Sequence, residues 1–242
     1  MTVLSEIRDA HYQGRHCPAL RSLFRRNFII APYKSCHQHH SFKLKFKTKS
    51  PAEVFMKYQK YYNLIKEQSE IFDKTQNCQI GQTWNYHLLP VIKNACMLAE
   101  KYGADKDVVE VAAIFHDYAD LLDFANRDNH HILGAELAEG ILSQDGHPQD
   151  FIDKVKLCIK NHRASVVNEK FSKEEICVAD ADAMSHLDSF VELICWRAYL
   201  GEDIMTCNNF VKTKIKKSYA KMSKKTQDLM KDKYESIMKV LL

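Results

Sequence analysis

Beyond residue 50, apolar side chains recur at three- and four-residue spacing and never alternate, so each long segment carries one apolar stripe that another helix must cover. Leu88, Val91, Ile92, Ala95, Leu98 and Ala99 form one such stripe, and Gly103 supplies its stop. Asp105 can cap the next helix, whose apolar face is Val108, Val111, Ala112 and Phe115. Gly134 to Ser143 reads as a short helix, and Pro148 suits the first turn of another bearing Phe151, Ile152, Val155 and Ile159. Ser172-Lys173-Glu174-Glu175 is a capping box that opens a long apolar helix through about Leu200. Two amphipathic helices follow, around Phe210 to Met222 and Thr226 to Leu242, with Ser223 a cap between them. Ser50-Pro51-Ala52-Glu53 is another capping box, and it starts a helix to about Asp73 whose Tyr58, Tyr61 and Tyr62 face the core. The pattern predicts an all-α chain whose helices, joined by short loops, pack as a bundle.

A chain of 242 residues that is 45% hydrophobic can bury one good core without staples. Its eight cysteines form no C-x-x-C pair, which argues against a zinc ribbon or a dithiol redox site. No run of about 18 apolar residues occurs, so no membrane span is expected and a cytoplasmic location is. Between residues 10 and 52 there are nine Lys or Arg and no acid. The net charge of +4 therefore belongs to the N-terminal region, and the rest is mildly acidic. Residues 1–49 read as a flexible basic arm, with an organellar targeting segment as the alternative. Phe42, Leu44 and Phe46 alternate with lysines there, an isolated strand-like pattern. The ordered domain is expected over residues 50–242.

In Val111-Ala112-Ala113-Ile114-Phe115-His116-Asp117, an imidazole and a carboxylate stand side by side at the end of an otherwise apolar helix. Burying that carboxylate without a partner costs several kcal/mol, and a bound cation removes the penalty. His87 opens the preceding helix, and the turn at Gly103-Ala104-Asp105 folds that helix back so that its beginning approaches the end of the next. Further carboxylates, Asp180 and Asp182, interrupt the apolar run from Val178 to Met184. Imidazole nitrogen mixed with carboxylate oxygen suits a divalent ion such as Mn, Fe, Co, Zn or Mg and excludes a soft thiolate site.

A histidine, then a His-Asp pair, then a distant aspartate in an all-helical chain resembles the HD superfamily of metal-dependent phosphohydrolases. The resemblance runs from Trp84 to Asp188, through Trp84-Asn85-Tyr86-His87, His116-Asp117, His130-His131-Ile132-Leu133-Gly134-Ala135, Asn161-His162-Arg163 and Ala181-Asp182-Ala183-Met184. It implies an HD-domain helical bundle with its core at 84–188 and His87, His116, Asp117 and Asp182 as metal ligands. Asp182 matches the family's final Ala-Asp, and Asp180 takes a supporting place. Relatives with two metals carry extra histidines at places comparable to His130, His131 and His162. These side chains are either ligands of a second metal, phosphate contacts, or residues that cap and pack helices; one metal is the expected count. Two departures stand out. Tyr118 and Asp120 replace the Ile-Gly and Lys that follow His-Asp in many relatives, and the Gly-Tyr-Pro signature of the cyclic-dinucleotide phosphodiesterase branch is missing.

The expected activity is hydrolysis of a small phosphoester, such as a nucleotide, through a metal-activated water. Asp117 would ligate the ion and orient the water, Asp180 or a neighbouring carboxylate would act as general base, and His130, His131, His162 or Arg163 would steady phosphate charge. Two rivals are a di-iron oxygenase on the same fold and a non-catalytic metal-stabilised module whose basic arm recruits nucleic acid. The acidic body weighs against nucleic acid as a ligand of the folded domain. Asp123 and Asp128 either orient ligands or are solvated. Cys36-His37-Gln38-His39-His40 reads as chance clustering, His147 as a turn residue, and His186 and Asp188 either as support behind the ligands or, the favoured reading, as helix packing.

Overall fold

The computed structural model describes residues 57–75, 82–163 and 172–241. The basic arm, its alternating segment, the histidines at 37–40 and the capping box at Ser50 lie outside the described residues. Within them every regular element is helical: α1 (Gln59–Thr75), α2 (Leu89–Tyr102), α3 (Lys106–Phe115), α4 (Tyr118–Leu122), α5 (His130–Gln144), α6 (Gln149–Asn161), α7 (Lys173–Asp188), α8 (Phe190–Tyr199), α9 (Ile204–Lys221) and α10 (Lys224–Val240). A π-helical turn, Trp84–Leu88, runs directly into α2, and a 3-10 turn, Phe124–Asp128, precedes α5.

The local signals act where the sequence puts them. Gly103 ends α2 in the left-handed region at φ 65°, its N–H bonded to the Ala99 carbonyl. Asp105 caps α3, its Oδ1 accepting from the N–H groups of Asp107 and Val108 at 3.0 and 3.3 Å. The capping box at the start of α7 is complete: Ser172 Oγ accepts from Glu175 N–H, and Glu175 Oε1 accepts from Ser172 N–H, both at 3.1 Å.

The core forms where the apolar stripes meet. Helices α2 and α7 lie along one another, α5 and α6 make a hairpin, and α3 packs against α2 and α6. Leu88, Ile92, Leu98, Phe115, Ile159 and Leu187 are fully buried at these contacts. Tyr58, Tyr61 and Tyr62 are buried as expected, and Tyr61 Oη donates to Asp145 Oδ2 at 2.6 Å. His147 does more than turn the chain, since Tyr61 Oη also meets its Nε2 at 2.9 Å.

The long helix expected from Ser172 to Leu200 is broken. It stops at Asp188, because Ser189 leaves helical geometry at φ −116°, ψ 34° and its Oγ donates to the Tyr86 carbonyl at 2.5 Å. Side-chain hydroxyls that bond to backbone outside their own helix compete with helical continuation. α9 likewise begins ahead of Phe210, at Ile204, because Asp203 caps it by accepting from Met205 and Thr206 N–H at 3.0 and 3.1 Å.

Asp180 points away from the other candidate site residues. Its buried carboxylate accepts from Ser223 N–H at 3.0 Å and from Ser223 Oγ, holding the start of α10 against α7. Asp180→Ala strands those donors, so stability should fall by about 1–3 kcal/mol. Urea unfolding measures this, and the metal content of the folded variant should stay at the wild-type level.

Candidate metal centre

Helix ends deliver the site. His87 lies in the π-helical turn, a geometry often found at functional positions. His116 is the last residue of α3 in helical geometry, and Asp117 turns out of it at φ −108°, ψ 14° before α4 begins. That break lets two adjacent side chains aim at one place. His130 opens α5, His162 follows the end of α6, and Asp182 sits in the middle of α7.

Hydrogen bonds to the backbone decide which ring nitrogen carries the proton. A carbonyl only accepts, so Nδ1 of His116 donates to Ala113 at 2.7 Å, Nδ1 of His130 to Arg127 at 2.6 Å, and Nδ1 of His162 to Ile159 at 2.6 Å. Ser185 Oγ donates to the Asp182 carbonyl at 2.7 Å, which leaves its lone pairs to accept from His87 Nδ1 at 3.1 Å. In each neutral ring the lone pair therefore sits on Nε2. These Nε2 atoms face one another, at 3.2 Å between His87 and His116 and 3.1 Å between His130 and His162. Opposed lone pairs repel unless a proton or a metal ion lies between them, and Nδ1 anchored to a carbonyl or hydroxyl is the usual arrangement of a metal-ligating histidine.

Asp117 joins the two pairs. Its Oδ2 lies 2.9 Å from His87 Nε2 and 3.3 Å from His116 Nε2, while its Oδ1 lies 3.4 Å from His130 Nε2 and 3.5 Å from His162 Nε2. Asp182 Oδ1 is 3.7 Å from His87 Nε2. Two sets thus have ligand atoms close enough to hold an ion: His87, His116 and Asp182, and Asp117, His130 and His162. The four expected ligands converge, but the structure groups Asp117 with the additional histidines as well. The donor set fits one or two divalent ions of borderline or hard character.

The charges within the cluster act on one another. Burial opposes charge on His116, but the adjacent Asp117 carboxylate outweighs it and raises the imidazole to about 9. Burial would also raise Asp117, yet the neighbouring imidazoles, His116 foremost, hold it well below the usual carboxylate range. Asp182 is held down at about 2 against burial by the imidazoles of His186 and His87.

The remaining candidates fall outside the two sets. Arg163 donates to the carbonyl and, at 3.4 Å, to Oδ1 of Asp128, tying the end of α6 to the 3-10 turn. Asp123 caps that turn, accepting from Ala125 N–H at 2.9 Å. His131 stacks edge-on against His130 with ring centroids 5.7 Å apart, and among the described residues its buried Nδ1 has no hydrogen-bond partner. Asp188 accepts from Asn94 Nδ2 at 2.7 Å and from Lys233, a packing role.

Three contributors carry no motif of their own. Ser185 sets the tautomer of His87. His186 stacks on His87 at 5.8 Å and bonds Ser218 Oγ at 3.0 Å, so it touches a candidate ligand as well as packing helices. Asp120 lies 3.9 Å from His130 Nδ1 and 3.6 Å from Arg127, with its Oδ1 buried and, among the described residues, without a hydrogen-bond partner. Burial first, and the nearby Asp117 second, raise its pKa. Spacing offered a signal for Ser185 and His186, which stand one helical turn from Asp182.

Protonation of His116 competes with metal. A pKa near 9 means that an ion must displace a proton at neutral pH, so apparent Mn affinity should rise about tenfold per pH unit from 7 towards 9 and then level. Without metal, that raised pKa stabilises the fold fully below its unfolded value of 6.5, and the contribution disappears as pH climbs through about 9. Calorimetric Mn titrations and melting curves across this range measure both trends; a flat Mn affinity refutes the assignment of His116.

Against known proteins, the family model described as HD domain matches residues 85–187. No curated protein matches the chain. A predicted HD superfamily hydrolase from an uncultured Thermotogales bacterium aligns with a TM-score of 0.54 at 19% identity, over 79% of this chain and 95% of its own. Bacillus subtilis YpgQ, solved in complex with ADP, aligns with a TM-score of 0.54 at 19% identity, over 75% of this chain and 92% of its own. At this identity the two structures establish the shared fold. The family match encloses both ligand sets, from His87 to Asp182. Residues 85–187 of this chain thus match the HD domain, the family that the sequence motifs resemble.

Proposed function

We propose that this protein is a metal-dependent phosphohydrolase acting on a small phosphoester, with a nucleotide as the preferred class. The carrying observation is the set of four histidines whose Nδ1 atoms are anchored, so that Nε2 lone pairs converge on the two oxygens of Asp117. His87, His116 and Asp182 would hold one divalent ion, and Asp117, His130 and His162 a second. When bound, such ions polarise a phosphoryl oxygen and make an attacking water more acidic.

The rest falls to the chain's own groups. Asp117, with one oxygen toward each set, orients the water. Asp120 suits the proton-transfer role better than Asp180, because it stands beside His130 with one buried oxygen that has no hydrogen-bond partner among the described residues, while Asp180 is bound to Ser223. Its raised pKa favours holding a proton for the departing oxygen. His131 supplies a further imidazole at the edge of the cluster, and Arg163 is left to structure. The ADP bound by YpgQ supports a nucleotide substrate by analogy of fold. Among the described residues no helix is long and apolar enough to cross a membrane.

The same pair of histidine-rich sets bridged by a carboxylate would also suit a di-iron oxygenase. The two readings separate when protein loaded with Mn is screened for phosphate release from nucleotides and phosphomonoesters, and protein loaded with Fe is assayed for oxygen uptake. The hydrolase reading expects phosphate release in the first assay and none of the second activity. His116→Ala combined with Asp117→Ala should reduce both bound metal and phosphate release to background; activity surviving in that double variant overturns the proposal.

A further inference from the structure

The mechanism above leaves unused a lysine that the C-terminal region brings to the centre. α9 packs along α7, and its buried face includes Val211, Ile215 and Ser218. Ser218 bonds His186, which in turn stacks on the ligand His87. Lys214 stands one turn before Ser218, so the two share a side of α9, the side that meets His186. It is only partly exposed, and among the described residues it forms no ion pair or hydrogen bond.

Arg127 approaches from another element, the 3-10 turn. Its guanidinium lies 3.6 Å from Asp120 Oδ2 and 5.0 Å from the centre of the Phe124 ring, and its side chain is 59% exposed. Burial lowers the pKa of Lys214, Asp182 and Asp117 partly restore it, and Arg127 and Lys221 lower it further, so these four groups lie within electrostatic reach of the ammonium. Asp182 and Asp117 are the nearby acids, and both belong to the candidate ligand sets. Once ions neutralise them, an ammonium held half out of water needs a different anion. A phosphate oxygen is the partner chemistry offers at a phosphoester site.

We propose that Lys214, with Arg127, binds a second phosphate of the substrate beside the metal centre. The substrate class is then a compound with linked phosphates, such as a nucleoside diphosphate or triphosphate, in preference to a monophosphate. The inference rests on the hydrolase reading of the centre and extends it to the chain beyond the reacting phosphorus. Lys214 is a binding residue on this account, one that discriminates by phosphate number.

Calorimetric titration of the Mn-loaded full chain with ADP and with AMP tests it, using wild type, Lys214→Gln and Lys214→Arg. Wild type should bind ADP at least about tenfold more tightly than AMP, and Lys214→Gln should remove about tenfold or more of the ADP affinity. AMP affinity should change less than about twofold, Lys214→Arg should keep most of the preference, and Mn content and melting temperature should match wild type. Equal losses for ADP and AMP, no loss for either, no preference in wild type, or loss of Mn from the glutamine variant each overturn the inference. Phosphate release is read in parallel. Lys214-dependent ADP binding without any release from ADP or ATP sinks the hydrolase reading alone, whereas release from ADP with KM unchanged in Lys214→Gln sinks the lysine's role alone.

Discussion

Four imidazoles whose Nε2 atoms face one another form an arrangement that needs positive charge, a proton or a metal ion, between them. Backbone carbonyls at Ala113, Arg127 and Ile159, together with the Ser185 hydroxyl, fix the ring orientations from behind. The carbonyls belong to residues three positions before each histidine, so the end of a helix both presents the ring and sets its tautomer. Asp117 completes the arrangement because α3 stops at Phe115 and the chain turns before α4, placing one carboxylate between both histidine pairs.

The bundle exists, in functional terms, to bring these helix ends together. α2 and α7 lie side by side, so the π-helical turn ahead of α2 places His87 against Asp182 and Ser185 on α7. The α5–α6 hairpin delivers His130 and His162 as a pair. Each candidate ligand therefore sits on, or within two residues of the end of, an element locked by buried apolar contacts, which gives the cluster rigidity that long loops could not supply. The break at Ser189 belongs to the same design, since its hydroxyl is spent on the Tyr86 carbonyl next to His87.

Outside the ligand atoms, charge is arranged in layers. Acids at the centre suit cations, and Arg127 and Lys214 around them suit an anion brought by the substrate. His186, pushed down to about 3 by burial, adds an uncharged ring between His87 and α9. The C-terminal helices thereby become part of the site instead of a lid on the core, and Asp180 secures them through the start of α10.

Sequence alone determined the helical class, most helix starts and the residues able to meet a cation, because capping, periodicity and a carboxylate inside an apolar run are local signals. His116 and Asp117 were legible from one apolar stripe, and His87 from the turn at Gly103. Tertiary structure decided what depends on helix phase and on partners distant in the chain. Asp180 and Asp182 are two residues apart on one helix, about 200° around its axis, so they face different neighbours: one meets Ser223, the other the histidines. Arg163 beside His162 looked suited to phosphate and is bound to Asp128, while Lys214 was one of the many lysines of α9 until the contact of Ser218 with His186 showed which side of that helix meets the centre. Periodicity says which face of a helix is buried, but only the assembled bundle says what that face touches.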